Sequence, residues 1–173
     1  MITIKSSETY EDLADLVEYL YAPPNGVSEW GTLRAKDGHA APYNISWFEI
    51  GNEIKTPDFT GRVLAMEAAA MKLGKGGVIR YACPANCGDQ AVINASLAGT
   101  PPLGERIYVD VHGGTSNLKA ARGHVKNFAA AGSKARVVVW ETNTARHGPC
   151  SLSLSLSCAR ALLTHHRRAL HPI

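Results

Sequence analysis

Apolar and polar positions follow two rhythms along this chain. MITIKS predicts a short strand. Thr9 and Asp12 are spaced like a helical capping box, and Leu13, Leu16, Val17 and Leu20 follow at i, i+3, i+4 and i+7, one stripe of an amphipathic helix. Pro23, Pro24 and Gly26 break that helix, and a long polar connection runs from 25 to 44. YNISWFEIGN reads as the next strand. Thr56 and Pro57 look like the N-cap and first turn of a helix carrying Phe59, Val63, Met66 and Ala70, closed by Gly74, Gly76 and Gly77. VIRYAC and IYVDVHGG are strands, and Leu118, Ala121, Val125 and Phe128 form a further helical stripe ending at Gly132. ARVVVWETN predicts the last strand. In the tail, SLSLSLS has a strand period, but the neighbouring CARALLTHHRR favours helix.

Strands alternating with helices imply an α/β fold with a largely parallel sheet, either doubly wound or part of a barrel. Both put ligand sites beyond the carboxyl ends of the strands. The strand reaching residue 52 runs into Asn52-Glu53, the strand from 107 ends in His112-Gly113-Gly114, and the strand from 136 ends in Glu141-Thr142-Asn143. Side chains alternate along a strand, so Ile45, Trp47, Glu49, Gly51 and Glu53 are expected on one face, and Val137, Val139 and Glu141 on one face of the last strand.

Composition narrows the picture further. The chain has 173 residues, about one domain, with 45% hydrophobic and 19% charged residues, enough to bury a core. A net charge of +3, with basic residues scattered except for His165, His166, Arg167 and Arg168, speaks against a nucleic-acid partner. No apolar run approaches a membrane span. The N-terminus lacks a basic segment followed by an apolar one, so no secretory signal is read and a cytoplasmic location is expected for the chain as given. Cys83, Cys87, Cys150 and Cys158 fit no standard zinc spacing and read as mostly buried free thiols.

Two carboxylates converging at one sheet edge suit glycoside hydrolysis. One, kept protonated, donates to the leaving oxygen while the other attacks the anomeric carbon, at a separation of about 5 Å in the retaining mechanism. Taken singly, a Glu at a strand end is more often a solvated loop residue, His112 a hydrogen-bonded structural histidine, and Glu49 part of a buried hydrogen-bonded network. By spacing alone, aspartic-protease chemistry or a di-metal site also stays open.

The run DLVEYLYAPPN…WGTLRAKDGHAAPYNISWFEIGNE resembles the α-L-arabinofuranosidases of glycoside hydrolase family fifty-one. The resemblance rests on Val17-Glu18-Tyr19, Leu33-Arg34-Ala35 with Gly38-His39, Pro42-Tyr43-Asn44, and Glu49 to Glu53; AAAMKLGKGGVIRYACP, YVDVHGG and VVVWETN continue it in order to about residue 145. It implies that Glu53 is the general acid/base, Glu141 the nucleophile, Asn52 a ligand of the hydroxyl next to the anomeric carbon, and His112 a neighbour positioning the nucleophile. Gly114 stands where the family usually has tyrosine, and the connection after Glu53 is short. The implied substrate is an arabinose-containing oligosaccharide or polysaccharide, hydrolysed with retention, and no metal or organic cofactor is implied.

A full (β/α)8 barrel takes about 250 residues. The expectation is therefore a partial (β/α)8 TIM barrel over residues 1–148, roughly the third to seventh strands with their helices, followed by a divergent helical segment over 149–173. Two open sheet edges would invite self-association. The alternatives are a non-catalytic remnant of such an enzyme and another clan A glycosidase.

Overall fold

The computed structural model describes residues 1–112 and 117–139. Five strands, β1 (Ile2–Ile4), β2 (Trp47–Ile50), β3 (Arg80–Pro84), β4 (Ile107–Asp110) and β5 (Arg136–Val138), form one sheet in the order β1-β2-β3-β4-β5, every neighbour parallel. A doubly wound sheet reverses its strand order at a switch point, and this one never does. The order is that of a barrel wall, so the partial-barrel expectation holds over a doubly wound sheet.

Five helices connect the strands. The first, α1 (Tyr10–Tyr21), starts at Thr9, whose side chain and backbone exchange hydrogen bonds with Asp12 in a complete capping box. Leu13, Val17 and Leu20 from the predicted stripe are buried. The third, α3 (Phe59–Lys72), buries Phe59, Val63, Met66 and Ala70 as the pattern predicts. It packs against α1 on one side and α4 (Asp89–Leu97) on the other, and α4 in turn meets α5 (Asn117–Ala130).

Four expectations need correction. The polar connection from 25 to 44 contains a helix, α2 (Glu29–Lys36), capped by the Ser28 hydroxyl. Its hydrophobic periodicity is nearly nil because it is anchored by a buried arginine. The Arg34 guanidinium donates to the carbonyls of Tyr19 (2.5 Å), Ala22 (2.6 Å), His39 (3.0 Å) and Ala40 (3.0 Å), so four backbone acceptors satisfy the charge that burial would otherwise strand. Gly31 is required beside it, because a Cβ there would stand 2.6 Å from the Pro23 carbonyl oxygen.

Thr56 does not cap α3. Asp58 does, through its carboxylate to the Gly61 amide, while the buried Thr56 hydroxyl donates to the Ile50 carbonyl at 2.6 Å and ties the loop to the end of β2. The α5 stripe is not a core stripe. Only Phe128 is buried, and Leu118 and Val125 are more than half exposed. Lastly, Cys83 and Cys87 are paired in a disulfide across the turn after β3, not free thiols. The SLSLSLS tail and the segment 149–173 lie outside the described residues.

Candidate active site at the carboxyl ends of the strands

The residues singled out at the strand ends divide cleanly. Glu53 and His112 come together. Asn52 is exposed on the same turn as Glu53, and Glu141 lies outside the described residues, as do Gly113 and Gly114.

Strand β2 stops at Ile50, and the strict alternation that would carry one face through to Glu53 stops with it. Gly51 (φ +93°) turns the chain, and Glu53 itself sits in the left-handed region at φ +53°. A non-glycine residue there is sparsely populated and persists only when its surroundings hold it. Asn86 supplies that hold. It sits on a one-turn 3-10 helix (Ala85–Cys87) that the Cys83–Cys87 disulfide closes, and its side-chain amide donates to the Glu53 carbonyl at 2.6 Å. Gly51 is needed for a second reason, since a Cβ would lie 2.4 Å from the Thr56 hydroxyl.

His112 extends from the end of β4 between Glu53 and two buried carboxylates. Its Nδ1 faces Glu53 Oε1 at 3.4 Å, its Nε2 contacts Asp110 Oδ2 at 2.8 Å, and Glu49 Oε1 stands 3.7 Å from Nε2. A neutral imidazole donates one proton, and the close carboxylate claims it at Nε2, leaving the Nδ1 lone pair toward Glu53. Asp110 is a member of this cluster that the strand-end reading missed. Its signal was nevertheless present, because Asp110 and His112 stand two apart and so share a face of the extended chain.

Glu49 is 2% exposed. Its Oε2 accepts from the Thr3 hydroxyl of β1 at 3.1 Å, and its Oε1 has no hydrogen-bond partner. The expected buried hydrogen-bonded network is therefore only half built. Burial first, and then the adjacent Asp110 charge, push the Glu49 carboxyl up to about 7, against the opposing pull of the Thr3 hydroxyl and His112. Glu53 is the contrasting acid, with a side chain 62% exposed. Together with Pro84, Ala85, Asn86, Asp110 and His112 it lines a cavity of about 240 Å³ at this end of the sheet.

The ligand atoms of Glu49, Asp110 and His112 all lie within 4.8 Å of one another, the set of metal-ligand type found among the described residues.

Residues 3–73 match the family model described as the alpha-L-arabinofuranosidase 1 domain. The likeness to the α-L-arabinofuranosidases is carried by that segment. An extracellular exo-α-L-arabinofuranosidase from Streptomyces chartreusis is 40% identical over 48 residues, which are 28% of this chain and 6% of that protein. Among solved structures, the α-L-arabinofuranosidase of Thermotoga maritima in its arabinose complex superposes with a TM-score of 0.50 at 17% identity, over 78% of this chain and 33% of the other. A family 51 α-L-arabinofuranosidase from Bifidobacterium longum gives 0.53 at 12% identity, over 96% and 39%. At such identities the structural likeness speaks for the fold. The chain spans about a third of these solved relatives, and the matched segment from 3 to 73 contains β2, Asn52, Glu53 and all of β1 but its first residue.

Proposed function

We propose that this chain carries the acid/base side of an α-L-arabinofuranosidase site and takes part in retaining hydrolysis of terminal α-L-arabinofuranosyl residues, with Glu53 as acid/base and Glu141 as nucleophile. The observation that supports it most is the pairing, across the cavity, of His112 with Glu53, which lies in the segment that matches the arabinofuranosidase model.

The exposure of Glu53 to the cavity supports this division of labour. Protonated Glu53, open to the cavity, delivers its proton to the leaving oxygen as the glycosidic bond breaks. Once the glycosyl-enzyme has formed, the Glu53 carboxylate takes a proton from the attacking water. The Nδ1 lone pair of His112 accepts a hydrogen bond from the protonated form, and Asp110 holds the ring so that this lone pair stays aimed. Asn52, one residue before Glu53, is assigned to the sugar hydroxyl beside the anomeric carbon. Glu141 follows β5 by three residues and supplies the second carboxylate. The substrates proposed are arabinose-containing oligosaccharides or polysaccharides.

The test is turnover of 4-nitrophenyl α-L-arabinofuranoside by the purified chain, alongside the aryl xyloside and glucoside. Glu141→Gln is expected to abolish turnover and covalent trapping. Glu53→Ala is expected to slow poor leaving groups by about 10²–10⁴-fold and good ones much less. Equal trapping in wild type and Glu141→Gln would remove Glu141 from its role. Inactivity of a well-folded sample would leave a non-catalytic member of the family, and preference for a pyranoside would indicate another glycosidase specificity.

A further inference from the structure

We propose that Glu49, Asp110 and His112 form a binding site for one divalent transition-metal ion of the zinc class. Three observations converge on it. The groups offer one imidazole nitrogen and two carboxylate oxygens within 4.8 Å of one another. Glu49 Oε1 is buried, unpartnered and directed at the cluster, 3.7 Å from His112 Nε2. The cavity lined by Glu53, Asn86, Asp110 and His112 gives a path from solvent.

Ligands about 2.1 Å from a tetrahedral zinc stand roughly 3.4 Å apart. The Nε2–Oε1 separation of 3.7 Å is close to that value, while the Nε2–Oδ2 separation of 2.8 Å must open by about 0.6 Å, so the ion takes the place of the hydrogen bond between His112 and Asp110. Two carboxylates beside one imidazole form a buried donor set of the kind a divalent cation can neutralise. The mixed nitrogen and oxygen donors suit zinc, cobalt or manganese better than calcium, which prefers six to eight oxygens.

Binding has a consequence for Glu53. The metal takes the Nε2 lone pair, so the proton now on Nε2 leaves to solvent and the neutral ring carries its proton on Nδ1. That nitrogen then donates to Glu53 Oε1 instead of accepting from it. The binding itself does not depend on the hydrolysis proposed above.

The experiment is calorimetric titration of chelator-treated, full-length chain with Zn2+, paired with Co2+ absorption spectra, for wild type, Glu49→Gln and His112→Ala. His165, His166, His171 and the thiols of the tail offer competing sites, so the comparison between proteins carries the result. Wild type is expected to show, beside any binding by the tail, a class of site that weakens at least about tenfold in Glu49→Gln. It is also expected to give a nitrogen- and oxygen-ligated cobalt spectrum that His112→Ala lacks, and a rise in Tm with Zn2+ that Glu49→Gln loses. Circular dichroism checks that both variants fold. Equal Zn2+ binding by wild type and Glu49→Gln, or no Zn2+ binding by wild type, overturns the proposal. Arabinofuranoside turnover plays no part in these readouts, so the metal site and the hydrolytic assignment fail separately.

Discussion

Two buried glutamates sit at opposite ends of the same sheet and have opposite environments. Glu67 of α3 lies toward the amino ends of β3 and β4. Both its oxygens are taken, by a two-pronged contact from Arg106 (2.7 and 2.8 Å), the Gly77 amide (3.0 Å) and the Tyr81 hydroxyl (2.9 Å). Burial alone would raise its pKa, but these donors outweigh burial and hold the carboxyl below its ordinary value. Glu49, toward the carboxyl ends, meets one hydroxyl and a second carboxylate, and its pKa goes the other way, to about 7. One end of the barrel wall spends its charge on stability. The other keeps an unneutralised carboxylate beside the histidine that faces Glu53. This matches the division of labour in parallel barrels, where the amino end stabilises and the carboxyl end does chemistry, and it marks the second end as the one where groups are poised and not merely packed.

The largest effect should come from breaking the satisfied end. Arg106→Ala leaves the Glu67 carboxylate without a counter-ion and is expected to cost about 2–4 kcal/mol, since removing one partner of a largely buried pair strands the other. Urea unfolding measures it. A cost below about 0.5 kcal/mol, the level of an ordinary exposed pair, would mean Glu67 is more hydrated than its contacts imply.

Next in size is Gly51→Ala. A side chain at φ +93° also meets the Thr56 hydroxyl, so a loss of about 1–3 kcal/mol is expected, together with displacement of Glu53. Wild-type stability with an unchanged His112 NMR signal would show that the turn relaxes elsewhere.

Glu49→Gln should act in the opposite direction to Arg106→Ala. The raised folded pKa means that ionised Glu49 penalises folding, and the penalty grows as pH rises from the unfolded value of 4.5 through about 7. An amide keeps the Thr3 hydrogen bond and offers a donor to Asp110. In chelator-treated buffer the variant should therefore gain stability over wild type at pH 8 and differ little at pH 4.5. A variant less stable at pH 8 would contradict the account of an uncompensated carboxylate.

The smallest effect concerns Glu67 and acid. Its depressed folded pKa gives stability that is present above the unfolded value of 4.5 and lost as pH falls through the folded one. Glu67→Gln should flatten the fall in Tm across that acidic window, and parallel curves for the two proteins would assign acid unfolding to other carboxylates.

Much of this was legible in sequence because it is local. The capping box at Thr9, the α1 and α3 stripes and the strand positions follow from propensity and period, which neighbouring residues determine among themselves. So does the delivery of Glu53 and His112 to one edge, because parallel strands point their carboxyl ends the same way. What escaped depends on distant partners. Arg34 carries no local sign of burial, yet four carbonyls from two segments surround it. Thr56 looks like a cap until the Ile50 carbonyl claims it. The α5 stripe has core spacing, yet spacing cannot say whether anything packs on it, and Leu118 and Val125 stand exposed. The chain by itself determined a run of parallel strands and which of their ends carry chemistry. Only the tertiary structure decided that Glu49, 61 residues before Asp110 in sequence (110 minus 49), shares its pocket unneutralised, because burial and charge balance are properties of a volume that several strands enclose.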